Sequence, residues 1–391
     1  MGKDMDIKMN VNHLPALTYR FLKANDSEID LKDLYIEDTK TPEPENIPSS
    51  VTVKSDLSED DVKEIFLKVN EKIESKKADL PGPNGDTAPL NDGQIVRTGM
   101  GAAVDNLMKE MNVPVTVYTV SEGYKTEEPV VVKYSLKNGS CVLGSQVIHA
   151  KKNSEITVIM EYDSEENAKG FLGIQTRLLA EEGAKINLIK VQMLSEDVMH
   201  FDDVGGICDD NADIETINMQ LGAKDTWGGD RITLLGDKSI YNNHTGYLCR
   251  HKQTYDMNYV ADQIGKKTES NMIFRGVLLD EAVKTFRGTL DFKAGSAGSV
   301  GDEQEDTLLL SPDVINRTMP VILCQEEDVD GRHGASIGQL GDDVLFYMES
   351  RGIDEEEAKR LMIRARMESI ARMIPDEAMI VRIQQYIRNI L

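Results

Sequence analysis

The chain is 391 residues long and carries Lys+Arg 44 against Asp+Glu 68, a net charge of -24. A field of that sign repels phosphate backbones and anionic lipid, which disfavours nucleic acid and membrane surfaces as partners. Aromatic residues make up 5%, too few for sugar- or base-stacking platforms, and the length allows one large core with smaller flanking units.

Met1-Gly2-Lys3-Asp4-Met5-Asp6 has no apolar stretch behind its charges and does not read as a signal peptide. No segment approaches the ~18 consecutive apolar residues of a membrane span. Cys141, Cys208, Cys249 and Cys324 lie far apart and form no CxxC, so neither a disulfide framework nor a local zinc motif is indicated. The chain reads as cytoplasmic.

Residues 1–115 read as a helical cap with linkers. His13 to Lys23 reads as an amphipathic helix covering the end of a core. Ser58-Glu59-Asp60-Asp61 opens a second helix whose Val62, Ile65, Phe66, Val69 and Ile73 fall near helical spacing. Pro42, Pro44 and Pro48 make the stretch between them a linker, and Leu80-Pro81-Gly82-Pro83-Asn84-Gly85 is a second break.

Residues 116–330 read as the β core. Short β-branched runs such as Val115–Val120 and Ile156–Met160 are bounded by Gly, Asn and Asp. A turn-then-strand step recurs at Ile156, Ile186, Ile214 and Ile240, at spacings of 30, 28 and 26 residues by subtraction. That period suits stacked coils, though spacing alone fits a parallel β-helix or a β-sandwich equally. Asp202-Asp203 and Asp209-Asp210 read as turn and solvent-facing acids. His244 and His251 stand at an odd offset, which on a strand points them to opposite faces. Gly265-Lys266-Lys267-Thr268 resembles a phosphate-binding loop, but Val260 stands where its first glycine is required.

Residues 331–391 read as a helical region. Asp354 followed by Glu357 forms a capping-box arrangement, and Ala358, Leu361, Met362, Ala365, Ile370 and Met373 keep one apolar stripe. Pro375 suits the first turn of a last helix. Residues 354–391 hold seven acids and seven bases, so the whole charge excess lies upstream. A neutral amphipathic tail on an acidic body reads either as a docking element or as an end cap for the core.

Arg332-His333-Gly334-Ala335-Ser336-Ile337-Gly338-Gln339-Leu340 is followed by Leu345-Phe346-Tyr347 and Ser350-Arg351-Gly352-Ile353. In wording and order this resembles the C-terminal signature of the SufB/SufD family, scaffold subunits of the Suf machinery that assembles iron–sulfur clusters. The stretch from His13 to Lys23 also resembles an N-terminal LPxxTWxxLK segment of SufD-like members. The resemblance implies a mainly β fold: a right-handed parallel β-helix core with helical N- and C-terminal flanks. It implies a non-catalytic scaffold that pairs with a SufB-type scaffold and docks a SufC-type ABC ATPase. No stably bound cofactor is expected, only a transient iron–sulfur cluster or iron in the complex.

Carried over residue by residue, the resemblance places His333 at the interface between scaffolds, as an iron ligand or proton carrier; a neutral imidazole suits either task. Without the family match, a hydrogen-bonded structural His at a strand end is the preferred reading. Leu345, Phe346, Tyr347, Arg351, Gly352 and Ile353 match the region that docks the ATPase, although Phe346 and Tyr347 could instead pack onto the last coil. Cys324 is the cysteine nearest His333. Thiolate is the usual cluster ligand, yet a free Cys in the run Val321-Ile322-Leu323 reads as a small buried hydrophobe, as do Cys141, Cys208 and Cys249.

Two departures bear on the role. Aligned on Thr318-Met319-Pro320, Val314 occupies the place of the cluster-building cysteine of SufB members. Gly331 occupies the place of a cysteine carried by many SufD members. Both point to the SufD-side partner. The alternatives are a homodimeric minimal scaffold, with Cys324 as substitute thiol, and a carbohydrate-acting β-helix enzyme, against which the lone Trp227 argues.

Overall fold

The computed structural model describes residues 3–15, 23–37, 41–78 and 94–391. The chain opens with β1 (Lys3–Val11), β2 (Ser27–Ile36) and β3 (Val51–Leu57), then α1 (Glu59–Ala78) and α2 (Ala102–Glu110). The coiled region follows as β4 (Val115–Val120), β5 (Val130–Leu136), β6 (Cys141–Ala150), β7 (Glu155–Ser164), β8 (Lys169–Ala180), β9 (Lys185–Met193), β10 (Asp197–Cys208) and β11 (Asp213–Gln220). It continues through β12 (Asp225–Leu234), β13 (Ile240–Cys249), β14 (Thr254–Gln263), β15 (Glu269–Leu278), β16 (Val283–Phe292), β17 (Ser299–Leu309), β18 (Ile315–Cys324) and β19 (Val329–Gln339). Three helices end it: α3 (Asp342–Ser350), α4 (Glu355–Ala371) and α5 (Glu377–Ile390).

Even-numbered strands from β4 to β18 form one parallel sheet, which β3 extends antiparallel; odd-numbered strands from β5 to β19 form the other. Alternate strands therefore pair in register, and the chain winds as a parallel β-solenoid of about 8 turns. The expected β-helix is the fold.

The corners show why this sequence coils. Gly123, Asn153, Gly183, Asn211, Lys238, Lys267 and Gly298 each take positive φ between an even and an odd strand. Each donates its N–H to a carbonyl of the following coil, at 2.6–3.0 Å. At Gly183 the requirement is double: φ is +66, and a Cβ would stand 2.4 Å from Asn153 Oδ1. This ladder of turns is the period seen in Ile156, Ile186 and Ile214, which begin inward rows; Ile240 stands one residue off it, pairing with Asp213 while Tyr241 takes the inward place.

The outer faces are covered separately. Ile363, Met367, Ile370, Ile383 and Ile387 of α4 and α5 pack on Ile189, Val191, Met219, Leu248 and Val277 of the odd-strand sheet. Val62, Phe66 and Ile73 of α1 cover Val117, Val147 and Leu179 of the other.

Several expectations need correction. The segment read as a helical cap contains an antiparallel hairpin, β1–β2, that packs against α2 and the even-strand sheet. Its alternation is interrupted by a bulge between Met5 and Ile7, with Asp33 at positive φ, so a period of two did not stand out. Of the expected helix from His13, His13 to Pro15 are not helical, while residues 16–22 and the break at 80–85 lie outside the described residues. The boundary placed at 330 falls inside β19. Pro375 precedes the capping Asp376, outside α5.

Asp202 and Asp203 are buried rather than solvent-facing. Asp202 points inside the solenoid, where Lys190 Nζ lies 3.1 Å from it and 3.3 Å from Asp230. Asp203 points outward beneath the segment before α2, accepting from Met100 N–H at 2.8 Å and Gln175 Nε2 at 3.1 Å. Burial pushes the Asp203 carboxyl up to about 7. The folded pKa lies above the unfolded value of about 3.9, so the folded chain holds a proton that the unfolded chain has lost. The contribution of Asp203 to stability is then greatest below about pH 4 and declines as pH rises towards 7. Denaturant midpoints at pH 5 and pH 8 should show this decline, and D203N should flatten it by stabilising the protein selectively at pH 8.

Candidate functional site

The winding stops at β18 and β19, whose far edges have no strand neighbour among the described residues. Side-chain direction there follows from register. Phe286, Leu290 and Phe292 of β16 face the interior and pair with Thr318, Ile322 and Cys324. Across the lumen, Ser299, Gly301, Glu303, Glu305 and Thr307 of β17 are buried and pair with Val329, Gly331, His333, Ala335 and Ile337. Cys324 and His333 thus both lie on inward rows, on opposing sheets, at the one level where no further coil covers them.

Both are consequently exposed. For Cys324 this overturns the reading as a buried hydrophobe; the parity is inward, but there is no coil beyond to bury it. Its Sγ lies 2.9 Å from Glu326 O. Cys141, Cys208 and Cys249 are buried as expected, and burial pushes their thiols up. His333 lies within β19 rather than at a strand end, and among the described residues no side-chain hydrogen bond or ion pair holds it. Val314 is partly buried against the core. A Cβ at Gly331 would meet the Phe292 ring at 2.9 Å, so this wall is already filled at the position where the resemblance puts a cysteine in many SufD members. The outer face of the coil is closed by Leu14 and Ala24, packed on Met319 and Val321.

One coil beneath lies a charged interior that the sequence reading missed. Lys284 and Glu305 form an ion pair, both fully buried. Glu305 also accepts from Tyr247 at 3.0 Å, Thr307 at 3.1 Å and Thr318 at 2.7 Å. Glu303, two residues away on the same inward row, is 2% exposed, and its Oε2 has no hydrogen-bond partner. Burial first, then the neighbouring Glu305, pushes the Glu303 carboxyl up to about 8. In the sequence the run Asp302-Glu303-Gln304-Glu305-Asp306 looks like solvated surface; only its alternation with Gly301 and Thr307 signals an inward row.

The residues expected to dock the ATPase gather on and after α3. Phe346 is 73% and Tyr347 59% exposed, so neither packs onto the last coil. The Arg351 guanidinium sits 5.3 Å from the centre of the Tyr347 ring, and Gly352 ends the helix at φ 82. Leu345 instead turns inward, lining a groove of about 170 Å³ with Leu309, Leu310, Pro312 and Lys359. His244 sits on the outer face of β13 and His251 in the turn after it, so the two do not share a ligand. Among the described residues no group of three His, Cys, Asp or Glu could hold a metal, and no helix is long and apolar enough to cross a membrane.

Exposure sorts the thiols into one accessible and three enclosed. A maleimide or iodoacetamide applied to the folded chain should label one cysteine per molecule, mapped by mass spectrometry to Cys324. C324S should leave the native chain unlabelled until denaturant is added.

Comparison with known proteins agrees with this arrangement. Residues 134–366 match the family model described as SUF system FeS cluster assembly, SufBD core domain. The chain is 26% identical over 261 residues to the iron–sulfur cluster assembly protein SufD of Bacillus subtilis, covering 66% of this chain and 60% of that protein. It is 27% identical over 173 residues to a SufBD family protein of Synechocystis, covering 44% of this chain and 36% of the relative. A chloroplastic member of Arabidopsis thaliana matches at 27% over 173 residues, with 44% and 31% covered. The matches thus span less than two thirds of these relatives' own lengths. The stacked coils, the exposed HGA step of β19 and the family match over more than half its length together show that this chain belongs to the SufB/SufD family of iron–sulfur cluster assembly proteins, and within it most resembles SufD.

Proposed function

We propose that the chain is a non-catalytic, SufD-like scaffold subunit of a cytoplasmic Suf complex, pairing through its last coil with a SufB-type scaffold. The observation that carries this is the open end of the solenoid. Among the described residues nothing pairs with the far edges of β18 and β19, two rows of backbone donors and acceptors that a second sheet edge can satisfy. Their exposed Ile315 and Ile337 would be covered by the same contact. Pro320 fits only such an edge, since it has no N–H to give a ladder.

Pairing there encloses His333 between two scaffolds. Iron and sulfide are cargo in this reading, and His333 offers them an imidazole or a proton. A SufC-type ABC ATPase docks on α3, with Phe346 and Tyr347 entering an apolar groove and Arg351 at its rim, the usual distribution of interface energy. ATP hydrolysis in that partner shifts the paired scaffolds and opens the interface around His333. The matched relatives are Suf assembly proteins, which supports the cargo.

A second copy of this chain could pair through the same edges, and the exposed Cys324 favours keeping that reading, because it would then face the junction twice. Co-expression with the ATPase and a SufB-type paralogue, followed by light scattering on a sizing column, separates the two. A hetero-oligomer with one copy of this chain is expected; a chain that remains alone or pairs only with itself overturns the SufD-like role. Within the complex, F346D combined with Y347D should release the ATPase while the scaffolds stay paired. H333A should lower cluster yield without changing the complex's mass.

A further inference from the structure

We propose that Glu303 is a second protein ligand at this end of the solenoid, forming with His333 a carboxylate–imidazole pair that takes a divalent iron ion. The assignment rests on the reading of His333 as a residue that handles iron, and it concerns a side chain outside the signature that suggested that reading.

Register sets the pair. Glu303 and His333 are directly opposed in the parallel ladder of β17 and β19, on the same inward row. Adjacent strands lie about 4.8 Å apart, so an imidazole nitrogen and a carboxylate oxygen from the two residues can approach one ion at the ~2.0–2.2 Å of ordinary nitrogen and oxygen ligation. Imidazole with carboxylate is a donor set suited to ferrous iron.

Glu303 is prepared for an outside cation in a way that its neighbour is not. Glu305 has a full set of partners in Lys284, Tyr247, Thr307 and Thr318. Lys284 is committed to Glu305 and, at 3.0 Å, to Thr318. Glu303 is left buried with an unpartnered Oε2. Buried polar groups without partners are rare in folded proteins and ask for an explanation; an ion held beneath His333 provides one. The carboxyl also has a built seat. It lies over Gly288, where a Cβ would come within 2.6 Å of Glu303 Cδ. Gly288 pairs in turn with Pro320 of the open coil, so the seat lies directly under the opening. Two protein ligands leave the remaining positions to water, sulfide or the paired scaffold, as suits a cargo that must leave.

The test uses cobalt(II) as a spectroscopic probe for ferrous iron, titrated anaerobically into the full chain up to millimolar concentration. One equivalent should bind, with visible bands of nitrogen and oxygen ligation and no thiolate charge-transfer band. E303Q and H333A should each weaken binding by about tenfold or more, and the double variant should lose little beyond either. Thermal unfolding checks that E303Q remains folded. If it does not, E303D, which keeps the carboxyl but withdraws it by one methylene, must show the same loss. No binding by the wild type, unchanged binding by E303Q, or a thiolate band abolished by C324S would each overturn the assignment. Any of these, obtained while the chain still enters the hetero-oligomer, removes the iron site and leaves the scaffold role standing; failure of the complex with the cobalt site intact does the reverse.

Discussion

In-register parallel stacking is the constraint from which the rest of this molecule follows. Every strand from β6 to β17 finds its hydrogen bonds in the coil before and the coil after, and every corner N–H in the ladder from Gly123 to Gly298 is satisfied one coil on. Such an arrangement has no internal reason to stop. Where it does stop, the inward row loses its cover and the sheets lose their partners at one stroke. That is how His333 and Cys324 come to be accessible while obeying the inward parity that buries Ile186, Leu188 and Phe274.

The interior charges make the register specific. Shifting a strand by one residue would exchange its two faces, placing Lys190 outside and leaving Asp202 and Asp230 buried without a cation. Lys284 and Glu305 impose the same penalty near the end. Buried ion pairs contribute little net stability, but breaking one is strongly destabilising, so they act against misregistration more than for strength. The coil that must be correctly placed to present His333 is thus keyed by polar contacts immediately beneath it. Glu303, like Asp202 deeper in the lumen, has an oxygen without a hydrogen-bond partner, and it lies on the row that leads to the opening.

The helices divide by what they find to cover. α4 and α5 lie along the odd-strand sheet, held by buried apolar contact and by Arg366 on Asp306 and Arg382 on Asp163 and Glu161. α3 passes the last coil with little sheet left beneath it, and Phe346 and Tyr347 face solvent. The two exposed surfaces, the strand edges and α3, are therefore neighbours. A movement imposed on α3 has only the short, Gly-containing link around Leu340 and Gly341 to cross before it reaches β19.

The sequence by itself determined the corners, because turn chemistry is local and Asn153, Gly183, Asn211 and Lys238 announce the turns at which they stand; that the strands between them coil rather than form a sandwich came from the family resemblance and the tertiary structure. It likewise determined the start of α4, where Asp354 accepts from Glu357 N–H at 2.9 Å, and the wording of β19 and α3 carried the family. The hairpin β1–β2 escaped because a bulge broke its alternation. The burial of Asp203, the exposure of Cys324 and the isolation of Glu303 were decided only by the tertiary structure. Each depends on what lies one coil above or below, some thirty residues away in sequence, and no local pattern records whether that coil exists.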